Sequence, residues 1–77
     1  LVSNTSGLAG IAHWVNKHYD VPTDIVIDKH SDLVRGIKAW VDTQYENGRV
    51  TVITNEELYD VCRDAMNELG LHFEQKE

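Results

Sequence analysis

The sequence predicts a small, mainly α-helical domain of three helices. Three stretches repeat apolar residues at helical spacing, and turn or capping residues separate them. The chain has 77 residues, so it forms one domain at most and buries only about 60% of its unfolded surface. Residues 1–73 are expected to form a single helical subdomain, and residues 74–77, which lack apolar side chains, a disordered tail.

The first helix is predicted to begin near Leu8. Thr5 or Ser6 can accept hydrogen bonds from its first N–H groups, while Gly7 and Gly10 remove side-chain bulk. The residues alone leave two interpretations open: an ordinary helix cap followed by a close helix contact, or an anion or ligand site at the helix start. The apolar face of this helix consists of Leu8, Ile11, Ala12, Val15 and Tyr19.

Two short runs of β-forming residues flank the second helix. Pro22 favours an extended conformation at Val21, and the alternating run Ile25–Ile27 follows. The run Val50–Ile53 lies beyond the second helix. These runs either pack as loops or pair with each other as a short two-stranded ribbon.

The second helix is predicted to begin at Ser31, which can cap it, with Asp32 near the positive end of the helix dipole. Asn47 and Gly48 are suited to a left-handed turn at its end. Its aromatic residues are expected to belong to the core rather than to a cofactor site. The apolar face consists of Leu33, Ile37, Trp40, Val41 and Tyr45.

The third helix has the clearest start signal. Thr54 and Glu57 have the spacing of a capping box, and Gly70 is placed to end the helix in a left-handed conformation. Cys62, the lone cysteine, is expected to be a buried thiol. The apolar face consists of Leu58, Val61, Cys62, Ala65, Met66 and Leu69.

Charge and hydropathy exclude several function classes. The net charge is −6, and the seven Lys and Arg residues are scattered, which argues against nucleic-acid binding. No apolar run approaches the roughly 20 residues that span a bilayer, and the first residues lack the pattern of a secretory signal. A cytoplasmic location is the resulting expectation.

No catalytic or metal-binding constellation is evident. His13, His18, His30 and His72 do not share the spacing of helical zinc ligands, so no metal site is predicted within this chain. His13, next to Trp14, is expected to be a partly buried packing residue.

A resemblance to a known family follows from the first helix. Ser6-Gly7 followed by Gly10-Ile11-Ala12 resembles the Ser-Gly-x-x-Gly-[Ile/Val]-Ala start of a helix that follows the catalytic barrel in the 2-isopropylmalate synthase, homocitrate synthase and Re-citrate synthase family. The order of helices and turns extends the resemblance over roughly residues 2–70.

The resemblance implies an accessory subdomain, inactive alone, that covers the barrel mouth of the same or a neighbouring subunit in a homodimer. Such enzymes condense acetyl-CoA with a 2-oxo acid. The divalent metal ion and acetyl-CoA are implied for the full-length enzyme, and no cofactor is implied for this chain. The 2-oxo acid stays open between the three reaction types.

The same resemblance suggests site residues. Ser6, Gly7 and Gly10 match the family motif and are expected near the substrate, whereas Thr5 stands where many members have His. Some members place a catalytic His near the end of the first helix. The ungapped match falls on Tyr19, so His18 is a shifted candidate for catalysis in trans; its alternative role is that of an exposed residue near the negative helix end.

A second function class is an independent acidic protein-interaction module. In that case, exposed parts of Trp14, Trp40 or Phe73 would form the docking surface. The chain begins with Leu1 rather than Met, which favours a piece of a longer polypeptide. A reading frame that continues upstream into a metal-binding barrel would discriminate between the two classes.

Overall fold

The computed structural model describes residues 7–76 and has three helices and one small sheet. The helices are α1 (Leu8–His18), α2 (Asp32–Glu46) and α3 (Asn55–Leu69). Strands β1 (Tyr19–Asp20) and β2 (Glu74–Gln75) pair antiparallel, with Tyr19 opposite Gln75. The predicted mainly α-helical class is confirmed. No helix among these residues combines the length and the apolar character that crossing a membrane requires.

The core lies where α2 packs against both α1 and α3. Most residues of the three predicted apolar faces are buried there, and Leu69 is exposed. The half-buried members of the faces are Leu8, Trp40, Tyr45, Val61 and Ala65. Trp14 and Val34 are core residues that the predicted faces omitted. The side chains with the lowest exposure are Ile11, Val15, Val34, Ile37, Val41, Leu58 and Cys62.

The helix ends agree with the predicted turn residues, with one difference in chemistry. Gly48 and Gly70 have positive φ values of 96° and 70°, as the left-handed turns require. Ser31 occupies the N-cap position of α2, but its side chain does not cap the helix. Its Oγ accepts from the Asp28 N–H at 3.0 Å and donates to the Val26 carbonyl, so it orders the preceding loop instead.

The ribbon lies elsewhere than predicted. Ile25–Ile27 and Val50–Ile53 do not pair with each other, because side chains already bind their carbonyl oxygens. Asn16 Nδ2 donates to the Ile27 carbonyl at 2.9 Å, and Arg49 Nη2 donates to the Val52 carbonyl at 2.8 Å. Each run instead buries one isoleucine, Ile27 or Ile53.

The expected disorder from residue 74 onward is also wrong for residues 74–76. Phe73 is buried and fixes the chain next to α1, so that Glu74 and Gln75 form β2. The Lys76 backbone N–H donates to the His18 carbonyl at 2.9 Å, and Lys76 Nζ donates to the Asn16 carbonyl. Composition did not reveal this order because these bonds use the backbone and a residue 60 positions away.

Candidate functional site

The start of α1 has no side-chain cap among residues 7–76. Gly7 occupies the N-cap position with extended backbone angles, and its carbonyl accepts from the Ile11 N–H at 3.3 Å. Gly7 and Gly10 are both exposed. A Cβ at Gly7 would meet nothing within 4 Å, so packing within the chain does not require this glycine. Ser6 and the capping role predicted for Thr5 or Ser6 lie outside the described residues.

His18 lies at the other end of α1, half-buried in an aromatic cluster. Its ring stacks on Trp14, with ring centroids 4.5 Å apart and planes at 24°, and the Tyr59 ring meets it edge-on at 5.8 Å. His18 Nδ1 is 2.8 Å from the Trp14 carbonyl oxygen. A carbonyl can only accept, so Nδ1 carries the proton and the lone pair of the neutral ring is on Nε2. The imidazole is therefore oriented to accept a proton at Nε2.

Tyr19, where the ungapped family match falls, points into the protein. It is 2% exposed, and its hydroxyl has no hydrogen-bond partner among residues 7–76. Burial raises the pKa of Tyr19 well above its usual range, and the nearby Cys62 thiol raises it further. Burial likewise raises the pKa of Cys62 to about 11. A buried, neutral phenol is not available to a substrate outside this chain, whereas the half-buried His18 is more accessible.

The structure corrects the predictions for His13 and for two aromatic residues. His13 is exposed rather than partly buried, because its neighbour Trp14 takes the core position. Trp14 and Phe73 are only 6% and 5% exposed, so they do not form the docking surface expected for an interaction module. Among residues 7–76, the exposed large apolar side chains are Val26, Val50, Val52 and Leu69.

An open cleft of about 410 Å³ lies between α3 and residues 71–75, and Tyr19 and Tyr59 are among the residues that line it. Neither His18 nor the glycines of α1 line it. At its exposed rim, Arg63 lies 3.6 Å from Asp60, and His72 Nε2 lies 3.3 Å from the Glu74 carboxylate. Residues 7–76 contain no group of three or more His, Cys, Asp or Glu side chains that could hold a metal ion.

Trp14 and Tyr59 are the members of the aromatic cluster that the sequence did not reveal. Trp14 directly follows His13 and lies three residues after Ile11, a spacing that places it on the buried face of α1. Tyr59 lies beside the predicted apolar face of α3. Helical spacing could have found Trp14, but the contact with Tyr59 depends on how α1 and α3 pack.

Comparison with known proteins finds proteins of similar sequence but no solved structure that is similar. No protein-family model and no solved structure matches the chain. The chain is 41% identical over 69 residues to the citrate (Re)-synthase of Syntrophus aciditrophicus (strain SB), and 43% identical over 68 residues to that of Clostridium kluyveri. These matches cover 90% and 88% of this chain, but only 11% and 15% of the relatives. The chain is therefore homologous, over about nine tenths of its length, to one short segment of citrate (Re)-synthases, which belong to the family that the glycine motif resembles.

Proposed function

We propose that this chain is the accessory subdomain of an enzyme that condenses acetyl-CoA with oxaloacetate to form citrate, and that it is inactive alone. The observation that carries the proposal is the identity of 41–43% to two citrate (Re)-synthases over about 90% of the chain. Among the three reaction types that the resemblance implies, these relatives favour citrate formation. The chain spans only 11–15% of their length, so the proposal assigns substrate binding mainly to the remainder of the enzyme.

The proposed role is to cover the mouth of the catalytic barrel, on the same or a neighbouring subunit of a homodimer. The exposed glycines at the start of α1 support this role, because they allow another surface to approach the backbone closely. A cover of this kind excludes water from a reacting enolate. In this proposal the barrel holds the divalent metal ion and acetyl-CoA. The cytoplasmic location stays a prediction.

Within this proposal, His18 transfers a proton in the active site that the chain covers. Its Nδ1–H is held by the Trp14 carbonyl, which leaves Nε2 to accept a proton and later return it. The half-buried position limits the ring to one orientation while leaving part of it accessible. Tyr19 has no such role, because its hydroxyl is buried.

A chimera tests the role of His18. In it, this chain replaces the matching 68-residue segment of the Clostridium kluyveri enzyme, and release of the CoA thiol is followed with acetyl-CoA and oxaloacetate. We expect His18→Gln to lower kcat by about 10²–10⁴-fold, the usual contribution of a positioned acid or base. His13→Gln is the matched control on the exposed side of α1 and leaves kcat unchanged. An unchanged kcat in His18→Gln would contradict the role.

The isolated chain gives a second test. The 77-residue protein is expected to release no thiol from acetyl-CoA with oxaloacetate or any other 2-oxo acid, with or without divalent metal ions. Metal-dependent thiol release by the isolated chain would overturn the proposed accessory role.

A further inference from the structure

We infer that Asn55 is a positioning residue for His18 and acts on it through Trp14. The inference rests on the proposed function for the catalytic consequence, but the geometry that carries it is independent of any activity. Asn55 is the first residue of α3, and His18 is the last residue of α1. Trp14 lies between them and contacts both side chains.

The first link is a hydrogen bond between the two helices. Trp14 Nε1 donates to Asn55 Oδ1 at 3.0 Å, across 41 residues of sequence. Trp14 is 6% exposed, so its indole N–H needs a protein acceptor. The capping box of Thr54 and Glu57 fixes the start of α3, and with it the position of the Asn55 carboxamide.

The second link joins Trp14 to His18 in two ways. The indole ring supports one face of the imidazole, and the Trp14 carbonyl accepts from Nδ1–H at 2.8 Å. The stacking fixes the plane of the ring, and the hydrogen bond fixes which nitrogen carries the proton. The Trp14 side chain therefore sets the plane of the His18 ring, whereas the Trp14 backbone carbonyl sets its tautomer.

Tyr59 completes the arrangement from the same helix as Asn55. It lies one turn further along α3, and its ring centroid is 5.2 Å from that of Trp14 and 5.8 Å from that of His18. Tyr59 thus confines both rings on the side where α3 packs. Asn55 differs from it in supplying a directional bond, which aromatic packing alone does not replace.

Loss of the Asn55 acceptor would leave the indole N–H of Trp14 without its partner. The indole would then turn toward water, and the imidazole would lose its stacking surface. The Trp14 backbone carbonyl would still hold Nδ1–H, but a smaller fraction of the rings would point Nε2 in the required direction. This loss lowers kcat and leaves substrate binding, and therefore KM, almost unchanged.

The orientation of the His18 ring is the direct test, measured by ¹H NMR of its carbon-bound ring protons in the 77-residue chain. Because the ring stacks on Trp14 with centroids 4.5 Å apart, we expect the indole ring current to shift these protons upfield in the wild type. Asn55→Leu, which removes the acceptor, should reduce the upfield shift, and Asn55→Asp, which keeps an acceptor oxygen, should restore it. Unchanged shifts in folded Asn55→Leu overturn the inference.

The chimera separates this inference from the proposed function. There, Asn55→Leu should lower kcat about tenfold with KM within about twofold, and Asn55→Asp should retain most of the rate. If the upfield shift falls in Asn55→Leu but neither this variant nor His18→Gln lowers kcat, the geometry stands and the proposed role of His18 fails. If His18→Gln lowers kcat but Asn55→Leu changes neither the shift nor kcat, the positioning inference fails alone.

Discussion

The start of α3 and the start of α1 are held in opposite ways. At the start of α3, Thr54 Oγ1 accepts from the Glu57 N–H at 3.2 Å and Glu57 Oε1 accepts from the Thr54 N–H. Arg49 adds two hydrogen bonds to the same Glu57 carboxylate, at 2.6 and 2.7 Å. At the start of α1, Gly7 occupies the cap position and has no side chain to cap the helix.

In the proposed function, the difference separates what this chain needs to fold from what it offers to the barrel. The charged and capped start of α3 stabilises the fold and holds Asn55 against Trp14. At the start of α1, Gly7 and Gly10 are exposed, and both belong to the motif that resembles the 2-isopropylmalate synthase, homocitrate synthase and Re-citrate synthase family. The two helix starts should therefore respond differently to mutation.

The largest effect on stability is expected from truncating the leucine at the start of each helix, Leu58 in α3 and Leu8 in α1. Leu58→Ala removes a fully buried side chain, and we expect it to lower the free energy of unfolding by about 2–5 kcal/mol. Leu8→Ala removes a half-buried side chain and should cost about 1 kcal/mol. Urea unfolding followed by circular dichroism measures both. Equal losses would contradict the difference between the two helix starts.

Removal of the capping hydroxyl should have the next largest effect. Thr54→Ala leaves the Glu57 N–H without its acceptor and should cost about 1 kcal/mol of stability. Thr51→Ala, an exposed threonine in the preceding loop, is the matched control and should change stability by less than about 0.5 kcal/mol. Equal urea midpoints for Thr54→Ala and Thr51→Ala would contradict the stabilising role of the Thr54 cap.

The Arg49–Glu57 pair should make stability depend on acid pH. Hydrogen bonds from Arg49 and Thr54 lower the pKa of Glu57 from 4.5 to about 2. Because the folded state lowers this pKa, the stability that the carboxylate contributes is present above about pH 4.5 and is lost as the pH falls toward 2. Urea midpoints at pH 2–7 should therefore fall more steeply for wild type than for Glu57→Gln. Parallel pH profiles for wild type and Glu57→Gln would show that the Arg49–Glu57 pair does not make stability depend on acid pH.

A side chain at the start of α1 should have the smallest effect on stability. Gly7→Ser adds a capping hydroxyl where a Cβ has open space, so it should stabilise the chain by a few tenths of a kcal/mol. In the chimera the same substitution should lower kcat/KM, because in the proposed function the added atoms face the barrel. A large loss of stability would show that the fold requires this glycine. An unchanged kcat/KM would show that the activity does not require it.

The sequence predicted features that depend on local chemistry. The capping box at Thr54 and the left-handed glycines at 48 and 70 each involve a few neighbouring residues, and all were predicted correctly. The pairing of Tyr19 with Gln75 was missed because it joins distant residues, and polar strand residues such as Gln75 carry no periodic signal. The apolar run Val50–Ile53 has that signal, but the Arg49 side chain binds the Thr51 and Val52 carbonyls, and the run does not pair with Ile25–Ile27.

The candidate site was predicted only in part. A resemblance indicated His18, but its surroundings depend on contacts between α1 and α3. Trp14, one turn earlier on α1, donates to Asn55, and the Tyr59 ring meets the His18 ring. Burial favours His18 over Tyr19 as the candidate, and burial at the end of a helix is not fixed by the helix's own period. The resemblance therefore indicated the region, and tertiary packing favours one residue within it.

Replacement of a relative's segment is the most direct test of whether this chain acts as the accessory subdomain of a citrate-forming enzyme. The Clostridium kluyveri enzyme is compared with a form that lacks its matching 68 residues and with the chimera that carries this chain in their place. We expect deletion to abolish release of the CoA thiol with acetyl-CoA and oxaloacetate, and the chimera to restore it to within about tenfold of the parent's rate, a barrier difference of about 1.4 kcal/mol. A deletion form that keeps the parent's rate, or a folded chimera no more active than the deletion, would contradict this role.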